Sequence, residues 1–260
     1  MKKTGITILS IFTIFIVWVI GYAVVSNPLL LPSPLEVLKA FFGLFTTWKS
    51  LLVMLMTFVR LLIALLFAFL LGFILGIWSG FNKNVATFWH PIVTIFRTIP
   101  VISIIVILLI WFGFTLTPYV ITFLMIFPII YQAVYEGIIN IDTEMVDVYK
   151  LEDNRLITGL KHCYIPLINT QIKTALLQSA GLGIKVLVMA EYLSQTKTSI
   201  GNSLYLAKVT LEFDQVFAWT ILLILMAIVL SILIERYSLR NSTQPIQKSK
   251  VKSSERLTNQ

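Results

Sequence analysis

Residues 142–167 read DTEMVDVYKLEDNRLITGLKHCYIPL, the only long polar, charged segment inside an otherwise apolar chain. The apolar run 118–139 precedes it and the run 172–193 follows it. Runs of about 20 apolar residues are long enough to cross a bilayer as helices, so the charged stretch reads as the loop that joins two of them. Within it Met145, Val148 and Tyr149 fall at three- and four-residue spacing, and Leu156 and Leu160 repeat that spacing after Asp153 and Asn154. Two short amphipathic helices with a turn between them make a knob suited to docking. The loop thus turns a membrane protein into one that meets a partner.

The composition agrees with a membrane location. Of 260 residues, 58% are hydrophobic and 12% charged, whereas soluble domains run nearer half and a quarter. The net charge of +8 is no signal for nucleic acid, because the basic residues sit beside apolar runs and in the tail. The single cysteine, Cys163, excludes an intrachain disulfide framework and an all-cysteine metal site, and reads as an inert thiol.

Outward from the loop, six apolar segments define an all-α, polytopic helix bundle: 6–25, 51–78, 99–112, 118–139, 172–193 and 217–234. The first follows Lys2 and Lys3, but it nears full spanning length and lacks a small-x-small cleavage site, so it is expected to be a transmembrane helix, not a signal peptide. The segment 99–112 is short and has Pro100 near its start. Residues 81–97 are polar enough to read as a loop. Between the first two spans, Ser33, Pro34 and Glu36 form a capping box that opens a helix with Leu35, Leu38, Phe41, Phe42 and Phe45 on one face. That helix either lies in the membrane interface or packs on the bundle. Residues 1–240 form one transmembrane domain, and 241–260 form a basic tail expected to be disordered.

Placing both termini in the cytoplasm puts Lys2, Lys3, Lys83, Arg97, Lys150, Arg155, Lys161, Lys173 and the tail inside. Outside remain only Lys39, Lys49, Lys197 and Lys208, which satisfies the positive-inside bias. Three charges fall within the spans: Arg60, Lys185 and Glu191. A lone charge there costs ~2.5–3.5 kcal/mol on insertion scales, so each must pair, snorkel or face water. Glu191 is placed to pair with Arg60 from another helix; the two either orient helices or border a translocation path. Gly72, Gly76 and Gly80, and Ser179, Gly181 and Gly183, are small residues that permit close helix approach.

Enzymatic chemistry has no residues to carry it. There is no G-x-x-x-x-G-K-[ST] loop and no H-E-x-x-H, and the two histidines, His90 and His162, make a poor metal site. Glu136, Asp142, Glu144 and Asp147 read as loop-edge charges, with Asp142 or Thr143 as a helix cap. No cofactor is expected.

The loop resembles the signature of permease subunits of binding-protein-dependent ABC importers, E-A-A-x-x-x-G-x(9)-I-x-L-P. Asp147, Val148 and Tyr149 stand at its first three positions, Asp153 at the glycine, Cys163 at the isoleucine, Ile165 at the leucine and Pro166 at the proline. The spacing is kept while the alanines and the glycine are not. Asp and Asn tolerate the left-handed turn best after glycine, so Asp153-Asn154 can hold the same bend. Further stretches, LPSP at 31–34, TFVRLLIALLFAFLLGFILG at 57–76, FRTIPVISIIVILLIWFG at 96–113 and AEYLSQTKTSIGNSLYLAK at 190–208, resemble the nitrate/sulfonate/taurine-type branch. Lys185, Ala190-Glu191 and AKVTLEFDQVFAWT look closer to its thiamine-precursor members.

The resemblance implies a multi-pass protein of the cell membrane, forming a homodimer around a path for a small solute. It implies a cytoplasmic ABC ATPase docked on the 142–167 loop through Asp147, Val148, Tyr149, Asp153, Leu156, Leu160, Ile165 and Pro166. It implies an extracellular substrate-binding lipoprotein, lipid around the bundle and no nucleic acid. The rival from another class is a non-transporting membrane scaffold, which would have no ATPase partner.

Overall fold

The computed structural model describes residues 2–25, 27, 30–142 and 156–242. Among them every regular element is helical: α1 Lys2–Val25, α2 Pro34–Gly43, α3 Trp48–Phe81, α4 Lys83–Thr98, α5 Val101–Ile139, α6 Asn169–Ser194, α7 Ile200–Val209 and α8 Phe213–Ser242. Short helical pieces at Leu156–Gly159 and Ile165–Leu167 flank a wide π turn at Leu160–Tyr164. The protein is an all-α polytopic bundle.

α2 begins as its sequence dictates. Glu36 N donates to Ser33 Oγ at 3.2 Å, and Ser33 N donates to Glu36 Oε2 at 2.8 Å. These reciprocal bonds hold the Glu36 carboxyl below the usual carboxylate range. The helix buries Val37 and Ala40, and its C-cap buries Leu44; the last two share a cluster with Ala218, Trp219 and Leu222 of α8. Leu35, Leu38 and Phe42 stay exposed on its other face.

The sequence counts six apolar segments, and the structure has five helices long and apolar enough to cross a membrane among the described residues. The difference lies in α5, which carries segments 99–112 and 118–139 as two limbs. Gly113 divides them with φ 69° and ψ −176°, a conformation open to a residue without Cβ. In an unbroken helix Ile105 and Ile121 would stand about 24 Å apart. Instead Ile104, Ile105 and Leu108 share one buried cluster with Ile121, Met125, Val186 and Ala190, so the chain doubles back at Gly113. The first limb is about 18 Å long, too short to span alone.

Most of residues 81–97, expected as a loop, is helix α4, which starts at Lys83 after the cap Asn82. Its polar residues Lys83, Asn84, Thr87 and Arg97 lower the apolar signal, but Ala86, Trp89, Val93 and Phe96 recur at helical spacing. Asn82 caps it by accepting from Asn84 N at 3.0 Å. Val93 and Trp89 pack with Ala68, Ile126 and Phe127, so α4 turns back along α3. Ile99 and Pro100 are extended, as the pre-proline clash requires, and separate α4 from the first limb of α5. The two pieces together make one interrupted ascent.

The core is α3, the second limb of α5, and α6. Gly72, Gly76 and Gly80 lay the α3 backbone directly on α5: a Cβ at Gly76 would lie 2.7 Å from Val134 Cβ, and one at Gly80 2.7 Å from Ile138 Cγ2. On the other side Leu61 packs with Ala180, Ile184 and Leu187 of α6. Tyr131 donates its hydroxyl to Ser79 Oγ at 2.9 Å, satisfying a buried polar group between α5 and α3.

Candidate functional site

Two polar features stand out in this apolar bundle. The first is a closed ionic node. Arg60 is 7% and Glu191 0% exposed, and Arg60 Nη1 meets Glu191 Oε1 at 3.0 Å. Thr57, one turn before Arg60 on α3, donates to the same carboxylate at 3.1 Å. Gly201 N donates to Glu191 Oε2 at 3.2 Å. Arg60 also donates to the carbonyls of Thr198 at 3.0 Å and Lys197 at 3.2 Å. Ile200 N completes the ring by donating to Thr57 Oγ1 at 3.0 Å.

The node ties down the 195–199 connection. That segment needs anchoring because Gln195 and Thr198 hold left-handed conformations, with φ 48° and φ 53°. Ser199 caps α7 by accepting from Asn202 N at 3.0 Å, and Thr196 Oγ1 donates to Phe114 O at 2.7 Å beside the Gly113 reversal. Arg60 and Glu191 thus meet and neutralise one another. Thr57 and the 197–201 backbone belong to the same unit and escaped the sequence reading. Only the Thr57–Arg60 spacing of one turn signals the former, and backbone partners leave no residue signature.

The second feature is the exposed stripe of α6. Gln171, Thr174, Gln178, Leu182 and Lys185 are all exposed, and their numbering confines them to an arc of about 80°. The opposite side of α6 is buried against α3, α5 and α8. By contrast the exposed residues of α3 from Leu51 to Phe81 are apolar, among them Leu55, Leu62, Leu66 and Leu70. Lipid suits the α3 face. A row of amides and a lysine along a spanning helix suits water or a protein partner.

At the loop end of α6 the stripe opens into a cavity of about 400 Å³, lined by Glu136, Asn140, Thr170, Gln171, Thr174 and Gln178. Glu136 accepts from Gln132 Nε2 at 2.6 Å, and Gln132 in turn accepts from Arg97 Nη1 at 2.5 Å. The opposite charges at this end are therefore linked through one amide. Sequence reasoning named Lys185 and missed the glutamines; their three- and four-residue polar spacing within an apolar helix is the available signal.

Of the loop residues, Asp147, Val148, Tyr149 and Asp153 lie outside the described residues. Leu156 opens the short helix Leu156–Gly159, Leu160 and Ile165 are half-buried, and Pro166 is exposed. The loop's return is anchored by Tyr164, whose ring meets Phe81 edge-on with centroids 4.8 Å apart, and by Ile168, which is 1% exposed. Cys163 is 8% exposed, and burial pushes its thiol pKa up. Less thiolate at neutral pH means slower alkylation than for a free cysteine. Labelling of Cys163 is expected to be slow near pH 7 and to accelerate as pH rises above the range of an ordinary thiol; mass spectrometry of iodoacetamide-treated protein checks this.

Among the described residues no group of three or more His, Cys, Asp or Glu side chains could hold a metal ion. No curated protein matches the chain. The family model described as "Binding-protein-dependent transport system inner membrane component" matches residues 68–240.

Proposed function

The chain belongs to the family of binding-protein-dependent transport system inner membrane components, the permeases of ABC transporters, and from that premise we propose how it works. A permease of this family is a multi-pass membrane protein that works with an ATPase and a substrate-binding protein. In our reading two copies of this chain face each other across the α6 stripe and enclose the path of a small solute. Both termini, with the tail beyond residue 240, lie in the cytoplasm. The solute belongs to the nitrate, sulfonate or taurine class, or is a thiamine-pyrimidine precursor, delivered by an extracellular lipoprotein.

The observation that carries the reading is the polarity contrast between the exposed faces of α6 and α3. A lipid-facing helix would have no use for Gln171, Gln178 and Lys185.

Coupling is proposed to pass through residues 142–167. The anchoring of Tyr164 on Phe81 and of Ile168 beside Gly137 supports this, because a push on the loop reaches the ends of α3 and α5 directly. Tyr149→Asp places a charge in a small apolar contact, where leaving it unpaired is costly. Co-purification of the ATPase is expected to be lost while membrane insertion survives. Full retention of both ATPase binding and transport would reduce the loop to a connector.

A further inference from the structure

The structure divides the charges Arg60, Lys185 and Glu191 unequally. Arg60 and Glu191 neutralise each other in a buried node. Lys185 is exposed on the α6 stripe, and among the described residues it has no ionic partner. Further along the same arc Tyr192 is half-buried, packs edge-on to Tyr205 at 5.7 Å, and carries Lys208 Nζ 6.0 Å from its ring centroid. The acidic side chains stand at either end and not beside Lys185. Glu212 lines a separate cleft with Lys49 and Trp219, and Glu136 closes the opposite end of the stripe in its bond with Gln132.

We infer that Lys185 selects solutes bearing an anionic group, with Lys208 marking the outer mouth of the same positively charged face. The inference rests on the α6 stripe lining the path. An ammonium in a low-dielectric cleft acts more strongly than one on an open surface, because water and salt screen it less. A two-fold pair of such lysines would double the effect. The ligand is thus one with a sulfonate, carboxylate or comparable oxyanion, and a neutral pyrimidine is disfavoured. The amides of Gln178 and Gln171 then offer hydrogen bonds deeper along the stripe.

The test uses thiol reagents of opposite charge, and needs no knowledge of the ligand. Leu182 is 38% exposed and lies three residues from Lys185 on the same stripe. Leu182→Cys is made in a Cys163→Ala background, in the full transporter with its ATPase, with and without ATP. Rates are measured with an anionic sulfonatoethyl and a cationic trimethylammonioethyl methanethiosulfonate. The ratio of anionic to cationic rates, normalised to a free thiol, is expected to exceed one. It should fall about five- to tenfold when Lys185→Gln is added, and persist when Lys185→Arg is added instead. Leu66→Cys, on the apolar face of α3, is the lipid-facing control and should react with neither. If the thiol introduced at position 182 reacts but its ratio ignores Lys185→Gln, the anion selection is overturned while the path stays in place. If that thiol reacts with neither reagent in either nucleotide state, the path itself is overturned.

Discussion

Arg60→Met is expected to cost about 3–5 kcal/mol of stability, because it strands Glu191 as an uncompensated charge with 0% exposure. Glu191→Leu should cost a similar amount by stranding Arg60. The double variant should be markedly less damaged than the sum, since it removes both charges together and leaves apolar groups in an apolar place. A coupling of ~0.5–3 kcal/mol is the range for residues in contact. The damage should not vanish entirely, because Arg60 also holds the carbonyls of Lys197 and Thr198. Thermal unfolding in detergent measures the four proteins of the cycle. Strict additivity would mean that the node does not act as a pair.

Gly201→Ala should injure the same node by sterics alone. A Cβ there would lie 2.4 Å from Tyr192 N and 2.6 Å from Val188 O, both backbone atoms that cannot step aside. α7 would have to move off α6, which costs about 1–3 kcal/mol as overpacking. The shift also stretches the Gly201 N–Glu191 bond, and a hydrogen bond to a charged group contributes about 1.5–3 kcal/mol. Gly181→Ala is the matched comparison, with nothing within 4 Å of its Cβ, and should leave stability unchanged or raised by up to about 1 kcal/mol. Equal melting temperatures for the two variants would contradict the tight fit at Gly201.

The helices that run through lipid were legible because apolar length alone specifies them, as at Trp48–Phe81 and Asn169–Ser194. α4 was not, since its polar face hid a helix whose signal lies in its periodicity and not in its apolar length. Segments 99–112 and 118–139 were read apart, as the reversal at Gly113 keeps them, but the positive φ of that one glycine leaves no mark beyond the residue itself. At the site, Arg60, Lys185 and Glu191 announced themselves as charges in apolar surroundings. Glu191 was also placed to pair with Arg60 from another helix, and the two stand 3.0 Å apart. The carbonyls of Lys197 and Thr198 are invisible to any reading of side chains.

The ionic node also sets a timetable. Arg60 and Glu191 are 131 residues apart in the chain. Synthesis at about 5–20 residues per second puts roughly 7–26 s between the emergence of the arginine and that of its carboxylate. During that interval α3 has reached the membrane while its guanidinium has neither Glu191 nor the 197–198 carbonyls to bind. The nascent helix must hold the charge near the lipid surface by tilting or snorkelling, then settle deeper once α6 arrives. Ribosomes stalled between the two helices should therefore carry an α3 that sits at a different depth from the one in the finished bundle.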